Sequence, residues 1–270
     1  MPLPWRRSVE RVAPYVAIAP IYDHLMRHVN YLRWASYVIG WFGHAEGAVQ
    51  SVLEVACGTG SLLVELASAG YRVCGFDDSP AMVRQARRKL QARGWLLESG
   101  EATNDPAVNG GHLWCGDMRE FGMRYKFDVA LCLYDSINYC PTLSTVEATL
   151  QGIAGAVRPG GLLIFDVCTE GNCRKYFANY VERDGTEHFS YTRRAFFDAH
   201  SRRQINDFFV VDEREGLRYQ ERHEQQMYRL DELRALGDSA AWRVLDVCEG
   251  FTRRPGGESS DRVHFILKRR

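Results

Sequence analysis

The sequence predicts an α/β fold in which a mostly parallel β-sheet is flanked by helices and carries an inserted antiparallel β-strand lid. Three observations support this prediction. Short apolar runs alternate with helix-periodic segments from Ser51 to Val167, which is the pattern of successive βα units. A glycine-rich turn at residues 56–60 joins the first apolar run to the first helical segment. From about Tyr176 to Tyr228, aromatic and β-branched residues alternate with polar ones, as is typical of antiparallel strands.

The composition limits the class of protein. The chain has 270 residues, of which 46% are hydrophobic and 25% charged, and its formal net charge is zero. That length suits one large α/β domain with an appendage, and the neutral charge argues against a nucleic acid or an anionic membrane as partner. No apolar stretch reaches membrane-spanning length, and the N-terminus lacks a signal-peptide core, so we expect no membrane association. The eight cysteines include no C-x-x-C pair, which predicts a reduced cytoplasmic compartment without disulfides or a zinc site.

Residues 1–43 are predicted to form an N-terminal helical lid. The first 13 residues are expected to be loosely held, and two helices joined near Asn30 fit the segment that follows. The aromatic residues that stand out there are Tyr22, Tyr31 and Trp34. One interpretation is that the three pack into the core beneath an amphipathic cap. The other is that they close over a ligand, which is implied by the resemblance of Y-D-x-L-M followed by Y-x-x-W to the N-terminal segment of small-molecule methyltransferases.

The stretch Val52–Gly60 indicates a nucleotide-type site. Gly58 and Gly60 allow the backbone to approach a ligand closely, and the helix that follows directs free N–H groups and a positive dipole end to the same place. The dinucleotide fingerprint G-x-G-x-x-G fails, because its third glycine would fall at Leu63. Glu54 adds a negative charge at the strand end, which would repel a pyrophosphate and suits a cationic ligand, such as one with an amino group.

The pattern E-x-A-x-G-x-G resembles motif I of the class I S-adenosylmethionine (SAM) methyltransferases, with Ala56 where that family usually has glycine. Further matches are the acidic end of the second strand, the G-D-M text at 116–118, the strand tip at 133–139 and the P-G-G turn at 159–161. The resemblance implies a Rossmann-like seven-stranded, mostly parallel sheet flanked by helices. The pattern is most similar to small-molecule enzymes of the glycine and sugar N-methyltransferase kind, which carry an inserted β-strand lid.

This resemblance implies SAM as the cofactor and S-adenosylhomocysteine as the product. The cofactor-binding residues that it indicates are Tyr22, Tyr31, Trp34, Glu54, Ala56, Cys57, Gly58, Gly60, Asp77, Asp78, Met82, Gly116, Asp117, Met118 and Leu133. Asp77 lies at the position whose carboxylate accepts hydrogen bonds from ribose hydroxyls, while Asp78 is either a second contact or a loop residue that caps the next helix. Asp117 matches the acidic residue that meets the adenine amino group in the family.

The predicted reaction is an in-line displacement at the sulfonium methyl group, in which positioning and desolvation dominate. An amine or hydroxyl acceptor must also lose a proton, so a base is useful. The candidate catalytic residues are Asp135, Tyr139, His223 and Tyr22. Strand alternation places His223 on one face with Glu221 and Gln225, and this face is expected to look toward the active site. A structural role for His223 and a turn-capping role for Asp135 are the alternatives.

The predicted function is methyl transfer to a small-molecule acceptor, at an amine nitrogen or a hydroxyl. The predicted domains are a SAM-binding core at 44–172 and 229–270, the helical lid at 1–43, and an inserted acceptor subdomain at 173–228. We expect a monomer or a homodimer.

Three other functions stay open at this point. One is a nucleic-acid (RNA) methyltransferase, although the strand tip lacks the prolines of the N/D-P-P-Y motif. Another is a SAM-binding protein without catalysis. A third is a metal-dependent catechol-type enzyme that uses Asp135 and Asp166. His24 and His28 have the i, i+4 spacing of metal ligands, but no third ligand is evident, so we expect no metal site.

Overall fold

The computed structural model describes residues 9–95 and 112–270, and the polar segment Glu98–Gly111, predicted to be a surface insertion, lies outside those ranges. The strands are β1 (Glu10–Arg11), β2 (Ser51–Val55), β3 (Arg72–Asp77), β4 (His112–Cys115), β5 (Phe127–Cys132), β6 (Val157–Cys168), β7 (Tyr180–Gly185), β8 (Phe189–Asp198), β9 (Arg203–Asp212), β10 (Leu217–Gln226), β11 (Trp242–Glu249) and β12 (Arg262–Arg269). The helices are α1 (Tyr22–Leu25), α2 (Tyr31–Ile39), α3 (Ser61–Ser68), α4 (Pro80–Gln91), α5 (Leu143–Ala156), α6 (Glu170–Tyr176) and α7 (Leu230–Gly237). Short 3₁₀ turns lie at Ala19–Ile21, Phe42–His44 and Ser136–Tyr139.

The main sheet has seven strands in the order β11-β12-β6-β5-β2-β3-β4. Pairing is parallel from β6 to β4, while β12 runs antiparallel to both of its neighbours. This arrangement confirms the predicted seven-stranded, mostly parallel sheet. All residues of β2 are buried, because helices cover both faces of such a sheet. The carboxyl ends of β2, β3 and β5 lie at one edge, which is where ligands bind in open α/β sheets.

The core lies in two layers, one on each face of the main sheet. On one face, buried side chains of α2, α3 and α4 pack against β2 and β5. On the other face, α5 and α7 pack against β6 and β12. Helix α2 begins where Asn30 accepts a hydrogen bond from the Arg33 N–H at 2.9 Å, which is an N-cap interaction and explains the predicted break near Asn30.

The inserted segment folds into an antiparallel meander of β7, β8, β9 and β10. Two differences from the sequence-based expectation appear. Strand β7 was not predicted, and Glu10–Arg11 pairs in parallel with β10, so the described part of the first 13 residues is held rather than loose. The meander is stabilised by Ile18 and Ile21, which pack against Phe208 and other residues of its inner face, because a small sheet needs such a partner.

The alternation predicted for β10 is correct. Glu221, His223 and Gln225 are buried on the inner face, whereas Arg222 and Glu224 are exposed. Within 9–95 and 112–270, no helix has the length and apolar character needed to cross a membrane.

Candidate active site

A cavity of about 350 Å³ lies at the carboxyl edge of the parallel strands, within the roughly 300–1,000 Å³ typical of small-ligand sites. The predicted residues that line it are Tyr22, Tyr31, Trp34, Glu54, Ala56, Cys57, Gly58, Asp77, Asp78, Met82, Gly116, Asp117, Met118, Leu133 and Tyr139. Lining residues that the sequence did not point to include Tyr15, Thr59, Phe76, Arg119 and Tyr134. The predicted residues absent from the lining are Gly60, Asp135 and His223.

The loop after β2 takes left-handed backbone angles at three residues. Ala56, Gly58 and Gly60 have φ values of 56°, 54° and 71°. The Ala56 angle explains why glycine is usual there, because a Cβ is strained in this region. At Gly60 an added Cβ would lie 3.0 Å from the Ala86 Cβ, so this glycine allows the loop to pack against α4 rather than to contact a ligand.

Glu54 places a buried carboxyl group at the inner end of the cavity. The residue is 6% exposed, and its Oε2 atom has no hydrogen-bond partner among the described residues. Burial and, to a lesser extent, the nearby Asp77 charge together raise the pKa of Glu54 to about 8, against a smaller opposing effect of Lys89. A carboxyl group in this condition is ready to accept a cationic hydrogen-bond donor.

Asp77 ends β3 and organises the loop around it. Its Oδ2 accepts the Gly58 N–H at 2.9 Å, and its Oδ1 accepts the Ser79 N–H at 2.9 Å. Burial raises the pKa of Asp77 to about 6, although both backbone hydrogen bonds lower it. The neighbouring Asp78 is exposed and also lines the cavity. The two fixed hydrogen bonds leave other lone pairs of Asp77 directed to the cavity for hydroxyl donors.

The outer end of the cavity combines apolar side chains with a charged pair. Asp117 forms an ion pair with Arg119, whose Nε lies 2.8 Å from Oδ1, and this pair lowers the Asp117 pKa. The apolar side chains on this part of the wall are Phe76, Met82, Met118 and Leu133. Flat apolar walls beside a hydrogen-bonding carboxylate suit a heteroaromatic ring.

The N-terminal lid is attached to the glycine loop by a polar contact. Asp23 Oδ1 accepts the Thr59 hydroxyl at 2.7 Å and the Lys89 ammonium at 2.9 Å. Lys89 also donates to the Ser61 hydroxyl at 2.7 Å. These contacts connect α1, the loop and α4, and they hold the lid aromatics over the cavity.

Aromatic side chains from three segments form the wall nearest the β5 tip. Trp34 lies 5.5 Å from Tyr134, and Tyr15 lies 6.0 Å from Tyr22 and 5.7 Å from Tyr139, measured between ring centroids. Trp34 is both a core residue, 6% exposed, and a lining residue, so the two alternatives for the lid aromatics both apply to it. Ring faces of this kind attract cations.

The tip after β5 has an uncommon backbone and a buried ion-pair network. Tyr134 and Asp135 have φ values of 61° and 54°, a strained conformation for residues other than glycine. Asp135 accepts hydrogen bonds from Arg262 Nη2 at 2.5 Å and from Gln225 Nε2 at 2.6 Å, and Arg262 also forms an ion pair with Asp166. Burial raises the Asp135 pKa against the opposing effect of Arg262.

This network bears on two of the earlier alternatives for Asp135. Its side chain forms no helix cap, because the carboxylate is engaged by the Arg262 guanidinium. The same guanidinium contacts Asp166, so it occupies the place between the two carboxylates that a catalytic cation would need. Within the described ranges no group of three or more His, Cys, Asp or Glu side chains could hold a metal ion, and His24 instead contacts Asp184 at 3.0 Å.

His223 lies behind the cavity wall. It is 2% exposed, and its Nδ1 atom is 3.0 Å from the Tyr139 hydroxyl. Its Nε2 atom is 2.8 Å from Glu221 Oε1. The strand face predicted to look toward the site therefore lies behind the lining residues Tyr15 and Tyr139 and does not line the cavity itself.

The fold and the cavity together define a class of protein. A parallel sheet with carboxylates at the ends of two adjacent strands, a glycine loop and an aromatic lid is the architecture of class I methyltransferases. Comparison with known proteins agrees: the profile of the methyltransferase domain matches residues 52–161.

Similarity to individual proteins extends over nearly the whole chain. GWCH70_2453 of Geobacillus sp. (strain WCH70) is 30% identical over 261 residues, covering 94% of this chain and 99% of that protein. YqeM of Bacillus subtilis (strain 168) is 28% identical and covers 93% of this chain and 95% of that protein. Both carry provisional methyltransferase names that specify no acceptor. The chain therefore belongs to the class I SAM-dependent methyltransferase family.

Two further matches bear on the fold and on the acceptor. A SAM-dependent methyltransferase from Clostridium acetobutylicum ATCC 824 superimposes with a TM-score of 0.77 at 21% identity, covering 94% of this chain and 98% of that one. The dTDP-3-amino-3,6-dideoxy-alpha-D-glucopyranose N,N-dimethyltransferase of Streptomyces fradiae is 30% identical over 151 residues, or 55% of this chain and 52% of that protein.

Proposed function

We propose that this protein transfers the methyl group of SAM to the nitrogen of a small amine. The observation that carries the proposal is the continuity of the cavity. The same chamber is lined by the carboxyl groups of Glu54 and Asp77 and by the hydroxyl-bearing rings of Tyr22 and Tyr139. In this proposal the donor and the acceptor meet in that one cavity, which is the condition for in-line displacement.

In this proposal the carboxyl groups bind the polar parts of SAM. Glu54 accepts the amino group of the methionyl part, since its Oε2 atom is buried and has no partner in the described part of the chain. Asp77 accepts the ribose hydroxyls, and Asp117 accepts the adenine amino group. The predicted apolar contacts of the adenine ring are Met82, Met118 and Leu133.

The aromatic wall supports an amine as acceptor. Methyl transfer to a neutral amine starts from the sulfonium cation of the donor and gives the ammonium cation of the product. Both cations lie beside the wall, and aromatic faces stabilise both of them. The acceptor named for the Streptomyces fradiae relative is an amino sugar, which supports nitrogen as the site of methylation. The zero net charge favours a small acceptor over a nucleic acid.

We also propose a cytoplasmic location and a monomeric or homodimeric state. All eight cysteines are free thiols, which supports a reducing compartment.

A matched acceptor screen tests the proposal. Purified protein is incubated with SAM and a panel of small primary amines, including amino-sugar nucleotides, each paired with the analogue that has a hydroxyl in place of the amine. We expect S-adenosylhomocysteine and a methylated product from at least one amine and not from its hydroxyl analogue. Tyr139→Phe should lower turnover by about a hundredfold with SAM binding retained, whereas Tyr176→Phe, an exposed control, should not.

The screen has two contrary outcomes. Transfer to hydroxyl analogues alone would overturn the amine assignment. SAM binding by calorimetry without transfer to any member of the panel would favour the alternative of a SAM-binding protein without catalysis.

A further inference from the structure

We propose that the proton of the acceptor amine leaves the cavity along a directed hydrogen-bond chain from Tyr15 through Tyr139 to His223, with Glu221 fixing the direction. This inference rests on the proposed function, since it supplies the proton path that an amine acceptor requires. Tyr15 carries no motif, and the sequence did not point to it, whereas Glu221 was indicated only by the strand face that it shares with His223.

The chain begins at the cavity surface and ends in the protein interior. Tyr15 and Tyr139 line the cavity, whereas His223 does not. The Tyr15 hydroxyl lies 2.6 Å from the Tyr139 hydroxyl, and the Tyr139 hydroxyl lies 3.0 Å from His223 Nδ1. Both distances are those of hydrogen bonds, so the two hydroxyls connect the cavity to an imidazole that the acceptor cannot touch.

Glu221 sets the direction of every donor in the chain. Its carboxylate accepts the backbone N–H groups of Tyr15 and Ala17, at 3.2 and 2.8 Å. A carboxylate held by such donors acts as an acceptor toward the imidazole, so His223 Nε2 carries the hydrogen and donates to it at 2.8 Å. His223 Nδ1 is then a lone pair, which must accept the only hydroxyl hydrogen of Tyr139.

The orientation of Tyr15 follows from the same constraint. Because Tyr139 has donated its hydrogen to His223, its oxygen can only accept from Tyr15, which donates to it. The oxygen lone pairs of Tyr15 therefore remain as acceptors on the cavity side. Burial raises the pKa of both Tyr15 and Tyr139 well above its ordinary value, so neither hydroxyl is ionised at rest and both act as carriers.

The proposed transfer forms one N–C bond, breaks one C–S bond and moves one proton. The amine lone pair attacks the methyl carbon, the C–S bond breaks, and its electron pair goes to sulfur, leaving S-adenosylhomocysteine and a methylated ammonium. An ammonium proton then passes to the Tyr15 oxygen, the Tyr15 proton passes to Tyr139, and the Tyr139 proton passes to His223 Nδ1. Both tyrosines end neutral, and the imidazolium rests against Glu221. After the product has left, the proton returns along the same chain to water in the cavity, which restores the starting orientation of both hydroxyls.

The backbone at Tyr15 is held in place for this role. Its φ of 63° is in the left-handed region, which is strained for a residue other than glycine. The N–H of Tyr15 bonds to Glu221, and its carbonyl accepts the Ser79 hydroxyl at 3.0 Å. The insertion and the N-cap of α4 thus both hold Tyr15.

Among residues 9–95 and 112–270, the other groups that contact His223 supply no competing base. The edge of its ring faces Tyr15 and Phe208, with centroid separations of 4.6 and 5.3 Å. On the neighbouring strand β9, Asn206 lies opposite His223 in the register and accepts from Arg193. Glu221 on its own strand is thus the carboxylate that contacts the imidazole.

The tautomer can be tested without any acceptor. Protein with ¹⁵N-labelled histidine, saturated with S-adenosylhomocysteine, is observed by long-range ¹H–¹⁵N NMR. We expect hydrogen on Nε2 of His223 and a lone pair on Nδ1, and a changed Nδ1 shift in Tyr139→Phe but not in Tyr176→Phe. Hydrogen on Nδ1 in the wild-type protein would overturn the proposed direction whether or not an acceptor is known.

The proton path is tested with the amine that the screen identifies. Tyr15→Phe and His223→Gln should each lower kcat by about ten- to a hundredfold with SAM binding retained. The double variant Tyr15→Phe/His223→Gln should be no slower than the slower single variant, because both changes interrupt one chain. The exposed control His188→Gln should keep the rate. If His223→Gln lowers thermal stability and its effect on kcat multiplies with that of Tyr15→Phe, His223 is structural and the relay is wrong, while methyl transfer to the amine stands.

Discussion

The Glu54 carboxyl group is buried at the end of β2, and binding of SAM should be coupled to the loss of its proton. With a pKa of about 8 in the unliganded protein, Glu54 is roughly nine-tenths protonated at pH 7. An ammonium group bound at its free oxygen favours the carboxylate, so the proton must leave. Ionising Glu54 at pH 7 costs about 1.4 kcal/mol, the equivalent of one pH unit, and this cost is subtracted from the binding free energy.

The sign and size of the coupling between SAM binding and proton release follow from the groups that titrate near pH 7. SAM's own amino group, with an ordinary pKa of about 7.8, takes up about 0.1 proton at pH 7, so the net release is about 0.8 proton. Asp77, with a pKa of about 6, adds at most about 0.1 to the number of protons released at pH 7. The affinity for SAM should therefore rise nearly tenfold from pH 6 to pH 7.

Calorimetry in buffers of different ionisation enthalpy measures the proton release directly. The wild-type protein should release about 0.8 proton with SAM and also with S-adenosylhomocysteine, which carries the same amino group. Methylthioadenosine, which lacks the amino group, should release almost none. The Glu54→Gln variant should bind SAM more weakly and without proton release. The Asp77→Asn variant should keep most of the proton release. A wild-type protein that binds SAM with no proton release, or a Glu54→Gln variant that still releases it, would refute the assignment of Glu54 to the amino group.

Three further predictions follow from the site and its supports. Ala56→Gly should raise the free energy of unfolding in urea by up to about 1 kcal/mol. The strain relieved at the left-handed alanine, about 1–2 kcal/mol, exceeds the cost of the added chain entropy of glycine. A marked decrease in the free energy of unfolding would contradict the strain. Arg262→Met should lower the free energy of unfolding by about 3–5 kcal/mol, because it leaves two buried carboxylates without their cation, whereas exposed Arg254→Met should not; equal stabilities would contradict the buried network. Replacing residues 178–226 with a short linker should abolish methyl transfer while calorimetry still detects SAM binding, since no residue of that segment lines the cavity; turnover by the shortened protein would exclude the insertion from acceptor binding.

The parts of the fold that follow from local patterns were predictable. The apolar run of β2, the glycine loop and the periodic helix α3 are adjacent in sequence, so their order alone indicates a βα unit and a ligand edge. The alternation of β10 likewise separated the buried His223 from the exposed Arg222. Ala56 departs from the family pattern, and its backbone has the strained left-handed φ angle that makes glycine usual at this position.

Contacts between distant segments were not predictable. Arg262 joins Asp135 across 127 positions, and nothing near Arg262 in the sequence indicates a buried partner. Tyr15 reaches the cavity because Glu221, 206 positions away, binds its N–H. Such pairs are set by tertiary packing. A single sequence shows each partner as an isolated polar residue and does not indicate the pairing.

The distribution of charge around the cavity is consistent with the chemistry proposed for it. The charges of the β5 tip and the insertion are already neutralised at rest, Asp135 and Asp166 by Arg262 and Glu221 by backbone N–H groups. The wall between them is aromatic. Methyl transfer to an amine moves a positive charge from sulfur to nitrogen, and an aromatic wall stabilises the cation at both positions. A wall of this kind stabilises the reactant and product cations alike, so the driving force of the displacement comes from the sulfonium itself, and in the proposed relay the ammonium proton passes to His223 afterwards.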